Sequence, residues 1–563
     1  MNMHKVKNIY TIDFETRNSD IDLANNETSV WLWDICSCDT FNHRYGTNLD
    51  DLFQYVFDEI KDDVIYYFHN LKFDGSFLIS YLLTHGYTWS DKQFKEIQPY
   101  YFNSLIDSRK QFFSISIRNK NNAKIEIRDS QKKIASSVSE IAKSWNLPIL
   151  KGEIDYKKHR PLGYIPTDEE INYIKHDTEI MARVLKEFHQ EGMSSLTVAS
   201  DSFKSYKKTM TKKTFTELFP VLDKETDDYI RKSYLGGLCI VNKKYKNILL
   251  SNCKCYDKNS MYPSKMQKEL FAYGIPVKGE GRYAENKKYP VYIQHVKCQI
   301  KLKDNHIPCL MLKRFLQLKN EYIEDTGDEI IELYLTMVDM KLLYDAYDIL
   351  YIEFIDYLMF RGSTKLFTEF IDTIYLLKQN SEGAKRLLSK RRLNSFYGKW
   401  STNPVHYVIE PYLDDTGILC FKSINKTIDD PIYTINASLT TAYSRYDLYS
   451  NIQNNYDNFV YCDTDSIITV GDAVGLEIDK KKLGAWDLEK EYKIFKVIAQ
   501  KTYYGVLKDD SVLIKVCGAP NEVKKQINLD NFKIGETFTG KLRPVRVKGG
   551  LILANTTFTF KDR

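Results

Sequence analysis

Asn458-Phe459-Val460-Tyr461-Cys462-Asp463-Thr464-Asp465-Ser466-Ile467-Ile468 reads as two apolar strand arms joined by an acidic tip. Side-chain direction repeats every two residues along a strand, so acids at i and i+2 leave on one side of the sheet. Like charges so placed repel unless a cation lies between them. The tip is a candidate metal site; taken alone, an Asp-rich turn bonded to its own backbone accounts for the segment equally well.

A second acidic segment changes that balance. Cys253-Lys254-Cys255-Tyr256-Asp257-Lys258-Asn259-Ser260-Met261-Tyr262-Pro263 reads as a short strand ending in an acid, then a turn into a helix. Asp257 is a third candidate carboxylate beside Asp463 and Asp465. Two divalent ions held by such acids can activate an attacking 3′-hydroxyl and stabilise the leaving oxygens of a phosphoryl transfer. Mg²⁺, or Mn²⁺ in its place, suits a site with few protein ligands completed by substrate phosphates.

Between these acids lies a cationic stretch, Lys378 to Lys399, with no acid after Glu382. On a helix Arg386, Lys390, Asn394 and Tyr397 follow at spacings of four, four and three and share one face, suited to a triphosphate and a base. A solvated basic helix is the plainer alternative for a charge run; the regular spacing argues for the functional face.

Asp257-x-x-Ser260-x-Tyr262-Pro263, Lys390-x-x-x-Asn394-Ser395-x-Tyr397-Gly398 and Tyr461-x-Asp463-Thr464-Asp465-Ser466, in that order, resemble the three polymerase motifs of B-family DNA polymerases. Compact length and further signatures resemble the protein-primed branch of small tailed phages with linear genomes. The resemblance runs from Asp13 to the C-terminal region.

The N-terminal part carries chemistry of its own. Asn8 to Thr16 is a strand pattern with Asp13 and Glu15 on one face. Val64 to Phe68 is another apolar strand, and His69 to Asp74 reads as a loop leading into a helix over Phe77 to Leu83. Tyr173 and Asp177 share a helix face at i,i+4. Singly, each acid is as readily a surface charge or a helix cap. As an ordered set they resemble the three motifs of proofreading 3′-to-5′ exonucleases on a ribonuclease H-like fold. That resemblance implies two metals on Asp13, Glu15, Asp74 and Asp177, a water oriented by Tyr173, and Lys151 on the scissile phosphate. Thr16, His69, Asn70, Phe73, Phe77 and Tyr156 are then expected to hold the frayed primer end by stacking and phosphate contacts. Ser130-Gln131 departs from the family's Ser/Thr-Leu pair, which leaves Ser130 unassigned.

With 563 residues the chain exceeds the size at which one core keeps growing, so several domains are expected. Charged residues at 28% beside 43% hydrophobic fit an ordinary soluble protein. Cys36/Cys38 and Cys253/Cys255 are spaced unlike zinc knuckles and read as reduced thiols of a cytosolic protein. No apolar leader or membrane span is seen. Net charge is +5, and Lys501 to Arg563 alone holds twelve basic against six acidic residues, a surplus of +6 where a grip on DNA phosphates is expected.

Lys501-Thr502-Tyr503 resembles the family's Lys-x-Tyr motif near the primer terminus, and Tyr234-Leu235-Gly236-Gly237 the linker between exonuclease and palm. Thr441 and Arg445, on a helical pattern, resemble template and primer contacts, although Arg445 is equally a structural ion-pair partner. Ser260 and Arg386 join the DNA contacts, while Tyr262, Lys378, Lys390, Asn394 and Tyr397 would meet the nucleotide. By the same resemblance Asp257 and Asp465 hold the polymerase metals, Asp463 supports them, and Tyr262 excludes a ribose 2′-hydroxyl.

The fold class implied is α/β and multi-domain: an exonuclease domain over 1–195, then a right hand with palm at 196–269 and 435–518, fingers at 367–400 and thumb at 519–563. Insertions at 270–366 and 401–434 match in position the two that mark the protein-primed branch. They imply docking of a terminal protein and duplex, and a hairpin closing a ring for processivity and strand displacement. Strand-like Val291 to Cys298 belongs to the first insertion, although it could be misread as palm. The implied partners are primer-template DNA, single-stranded DNA, deoxynucleoside triphosphates and the terminal protein. The implied state is a monomer in the cytoplasm of an infected bacterium. A B-family polymerase extending ordinary primers, or a non-catalytic DNA-binding protein, are the rival classes; the second has no use for seven ordered carboxylates.

Overall fold

The acidic tip closes a hairpin in the computed structural model, which describes residues 8–312 and 322–561. Phe459–Asp463 pairs antiparallel with Ser466–Val470, and Thr464 takes the left-handed conformation (φ 62°) that a tight reversal uses. This hairpin lies within a seven-stranded sheet. Its order is Val512–Val516, Thr502–Leu507, Trp486–Ala499, Leu250–Lys258, Ser466–Val470, Phe459–Asp463 and Cys239–Val241. Asp257 thereby stands opposite Ser466 on one neighbour and Asp487 on the other. The chain leaves that strand through Ser260, at φ 49°, into the helix Met261–Lys268. Tyr256, Met261, Ile467 and Trp486 pack beneath the sheet with Leu448 and Ile452 of the helix Ile435–Gln453.

The N-terminal region forms an eight-stranded mixed sheet in which Ile9–Thr16 runs antiparallel to Val30–Ser37 and parallel to Val64–Phe68. The long helix Asp168–Gln190 lies across the first two of these strands. It starts at a capping box, with Thr167 and Glu170 exchanging bonds between side chain and backbone, which satisfies two otherwise free amides. The helix Leu71–Thr84 begins six residues before Phe77, where the sequence pattern had placed its start. Asn70, at φ 81°, turns the chain from strand to helix at once, so Asp74 lies in the first helical turn and not in a loop.

Val291–Leu302 belongs to a separate four-stranded sheet with Phe271–Glu280, Ile331–Thr336 and Tyr347–Ser363. The basic helix Gly383–Trp400 buries Ser389, Leu393, Phe396 and Trp400, leaving Arg386, Lys390 and Asn394 exposed on its other side. All ten cysteines are unpaired. Among the described residues no helix is long and apolar enough to cross a membrane.

Two long hairpins join these sheets. Val405–Leu413 and Leu419–Ile428 meet at a turn where the Asp414 carboxylate accepts from the Thr416 and Ile418 amides, each at 2.9 Å. Ile409 and Leu419 of this hairpin, and Leu551 of the C-terminal hairpin Thr537–Val547/Gly550–Thr559, share one core with Phe77 of the helix Leu71–Thr84 and Phe112 of the N-terminal sheet. The tip of the C-terminal hairpin is stitched to the same sheet. Thr28 donates its amide to the Lys548 carbonyl at 2.9 Å, and Lys548 donates to Asn26 at 3.1 Å. Gly549 (φ 88°) passes so near that a Cβ would collide with the Thr28 carbonyl. Gly549→Val should therefore undock this tip, costing about 1–3 kcal/mol as overpacking does. Faster hydrogen exchange at the Thr28 amide and a lowered melting temperature are the expected readings.

Candidate active sites

In the N-terminal cleft, the alternation of the Ile9–Thr16 strand delivers Asp13 and Glu15, and the first turn of Leu71–Thr84 delivers Asp74. Asp168–Gln190 brings Tyr173 and Asp177 from above, one turn apart. All five line one cavity of about 430 Å³ together with Thr16, His69, Asn70, Phe73, Lys151 and Tyr156. Lys151 pairs with Asp177 and lies 5.1 Å from the centre of the Tyr173 ring, whose hydroxyl bonds that of Tyr156 at 2.6 Å. Burial, then the charge of Asp177, push Asp13 up to about 7. Burial and Asp13 push Glu15 and Asp74 well above the usual carboxylate range. One oxygen of Asp177 is buried without a partner.

The second acidic set lies on the seven-stranded sheet. Burial, followed by Asp465 and Glu489, pushes Asp257 up to about 7; burial and Asp463 push Asp465 up to about 6. Asp463 accepts the Lys501 ammonium on both oxygens at 2.9 Å. Above them stands the exposed face of Gly383–Trp400. The charge of Lys390 reaches Asp257 and partly offsets its shift. Lys378 bonds the Ser260 hydroxyl at 3.3 Å, and burial with Lys390 and Arg386 brings it down to about 8. Tyr262 and Tyr397 meet at 4.2 Å between ring centres, and a Cβ on Gly237 would lie 3.0 Å from the Tyr262 hydroxyl. Gly237 thus allows the backbone past this aromatic pocket, whereas Gly236 faces open space.

Three expected DNA contacts sit elsewhere. Phe77 is 1% exposed, its ring against Gly550, because it points into the core one turn beyond Phe73. Arg445 is wholly buried; it pairs with Asp339 at 2.6 Å and donates to the carbonyls of Leu235 and Gly236, so it fixes the glycine linker. Thr441 is buried and bonds back to its own helix. Tyr503 is half-buried beside Tyr461 and Phe495. Ser130 is buried under Phe68 and His69, and it is Gln131 that lines the cavity. Sequence reasoning missed Leu553, which enters the same cavity from the C-terminal hairpin, and Glu489, an acid of the neighbouring strand whose charge raises Asp257. Leu553 left no local signal; Glu489 was visible only as an acid in a strand.

The family model described as DNA polymerase type B, organellar and viral, matches residues 59–469. The chain belongs to this family. It is 38% identical to the DNA polymerase of Bacillus phage Nf, over 99% of this chain and 100% of that one. Identity to the DNA polymerase of Streptococcus phage Cp-1 is 32%, over 98% of each. The structure of Phi29 DNA polymerase complexed with primer-template DNA and incoming nucleotide substrates matches with a TM-score of 0.90 at 36% identity, over 98% of this chain and 100% of that one. The polymerase is thus an α/β multi-domain enzyme whose template-directed chemistry depends on divalent metal.

Among the described residues no three His, Cys, Asp or Glu side chains stand close enough to enclose an ion. The acids nevertheless fit Mg²⁺, which takes one or two carboxylates and lets substrate phosphates complete its shell. They are buried, raise one another's proton affinity, and leave an Asp177 oxygen unpartnered. Carboxylates with raised folded pKa values hold protons that the unfolded chain has released. The stability of metal-free polymerase should fall as pH rises from about 4, where unfolded carboxylates titrate, through about 7, where Asp13 and Asp257 do. Melting temperature followed against pH in a chelator should show that decline, and Asp257→Asn should flatten it.

Proposed function

We propose that the polymerase is a protein-primed replicative enzyme of a linear phage genome, with a 3′-to-5′ proofreading exonuclease and strand displacement. The observation that carries the reading is the presence of two carboxylate sets in separate sheets, each facing its own cations. The hydrolytic set lies within an exonuclease domain at 1–195. The polymerising set lies in a palm at 196–269 and 435–518, under fingers at 367–400 and beside a thumb at 519–563.

In the palm, Asp257 and Asp465 hold two Mg²⁺ or Mn²⁺ ions, and Asp463 keeps Lys501 beside the primer end. When bound, the ions lower the cost of ionising the 3′-hydroxyl and of releasing pyrophosphate. Lys378 and Lys390 meet the triphosphate, with Arg386 and Asn394 along the same face. Tyr262 and Tyr397 enclose the sugar and base. Tyr262 excludes a ribose 2′-hydroxyl sterically. In the cleft Asp13, Glu15, Asp74 and Asp177 hold the second pair of ions. Tyr173 orients water, Lys151 neutralises the scissile phosphate, and Thr16, His69, Asn70, Phe73 and Tyr156 hold the last bases.

The partners are primer-template DNA, single-stranded DNA, deoxynucleotides and a terminal protein that offers a hydroxyl as primer. The segment 270–366 docks the terminal protein and duplex, and 401–434 closes over the DNA. The enzyme acts as a monomer in the cytoplasm of the infected bacterium. Asp257→Ala should lower primer extension by at least about 10²- to 10³-fold, the scale for losing a group that stabilises transition-state charge, while single-strand degradation persists. Asp13→Ala combined with Glu15→Ala should do the reverse. Gel assays on one labelled primer read both activities, and loss of both in either folded variant refutes the division of labour.

A further inference from the structure

A fifth acid stands beside the hydrolytic cleft, outside the set assigned above. Asp34 lies on Val30–Ser37 directly opposite Asp13, so the two side chains leave the sheet on the same face as close neighbours. It is wholly buried. A carboxylate in a core is costly, and more so beside others of its sign; an apolar residue would fill the place with less conflict.

Its partners explain its presence. One Asp34 oxygen accepts from the Thr178 hydroxyl at 2.5 Å and lies 2.8 Å from Nδ1 of His43. The other ring nitrogen of His43 is 3.5 Å from Glu179. Thr178 and Glu179 directly follow Asp177 on the Asp168–Gln190 helix, and the Thr178 carbonyl accepts from the Thr11 hydroxyl at 2.8 Å. The helical turn that carries Asp177 is therefore tied to Ile9–Thr16 through Thr11 and to Val30–Ser37 through Asp34. His43 reaches it from the sheet edge.

We propose that Asp34 and His43 are a positioning pair for the hydrolytic site: they set the rotation and height of the Asp168–Gln190 helix so that Asp177 and Tyr173 face Asp13 and Glu15 across the gap that two divalent ions fill. This rests on the exonuclease reading of the cleft. The pair touches neither substrate nor metal and acts through Thr178. A tie serving stability alone would alter melting and leave the metal requirement unchanged, whereas a positioning pair changes the metal requirement.

The test uses the full chain. Asp34→Leu should lower kcat for single-strand degradation by about 10-fold or more and raise the Mn²⁺ needed for half-saturation by a similar factor, the range seen when groups behind metal ligands are removed. KM for the strand and primer extension should stay unchanged. Calorimetric Mn²⁺ titration without DNA, in an Asp257→Ala background, should report the same weakening of binding. Asp34→Asn keeps an acceptor for Thr178 and should recover most of the rate. If Asp34→Leu fails to fold, His43→Gln is decided by the same readings. Unchanged kcat and Mn²⁺ affinity in a folded variant overturn the pair, whatever the melting temperature does. Asp13→Ala run alongside separates the two failures. Degradation that survives it overturns the hydrolytic site and the pair together, whereas degradation that it abolishes but that Asp34→Leu and His43→Gln leave intact overturns the pair alone.

Discussion

Repulsion between buried carboxylates is the constraint to which the rest of this structure answers. Burial raises the proton affinity of Asp13, Glu15, Asp74 and Asp177 in one cleft and of Asp257 and Asp465 in the other, and neighbouring acids add to it: Asp177 at Asp13, Asp13 at Glu15 and Asp74, Asp465 at Asp257 and Asp463 at Asp465. A loop would relieve such strain by moving apart. Here the acids sit on central strands, on the first turn of a helix and at the tip of a two-residue turn, so the backbone holds them close. What remains to offset the repulsion is a cation: Lys151 beside Asp177, Lys501 beside Asp463, Lys390 over Asp257, and the metal when bound.

Rigid clefts also need rigid frames between them. Ile409, Leu419 and Leu551, from two hairpins far apart in sequence, enter the core of the N-terminal sheet. Leu553, two residues beyond Leu551, reaches the hydrolytic cavity while its amide donates to the Asn18 side chain at 2.7 Å. Apolar burial in that shared core thus holds both hairpins against the N-terminal sheet.

Local geometry explains which residues could be read from the sequence. Asp13 with Glu15 follows from strand alternation, Tyr173 with Asp177 from helix periodicity, and Asp463-Thr464-Asp465 from turn chemistry; each needs only a few residues of context. The same holds for the face shared by Arg386, Lys390 and Asn394. The surroundings of Phe77 and Arg445 come from remote segments, and the helical pattern leaves Arg445 open to either role, while Thr441 is buried and bonds back to its own helix. Gly550 covers Phe77, and Asp339 with the linker carbonyls takes up Arg445. The start of the helix at Leu71 was hidden because it depends on Asn70 adopting a left-handed conformation. Asp34 did leave a trace: a lone acid in the otherwise apolar run Val30-Trp31-Leu32-Trp33-Asp34-Ile35 is a buried charge awaiting a partner.

Two chemistries that oppose each other, adding and removing the same nucleotide, can share one chain only if their acids do not compete for the same ions. On the proposed reading the topology meets this by setting one acid group on the eight-stranded sheet and its helices and the other on the seven-stranded sheet. On the same reading the strand end, by contrast, must be able to visit both sites. Transfer, on the proposed reading, takes the strand end from the aromatic pocket of Tyr262 and Tyr397 to the cleft that Leu553 helps to line. On that reading a mismatched end, held less firmly by pairing and stacking, loses less on leaving the first site and so reaches the second more often.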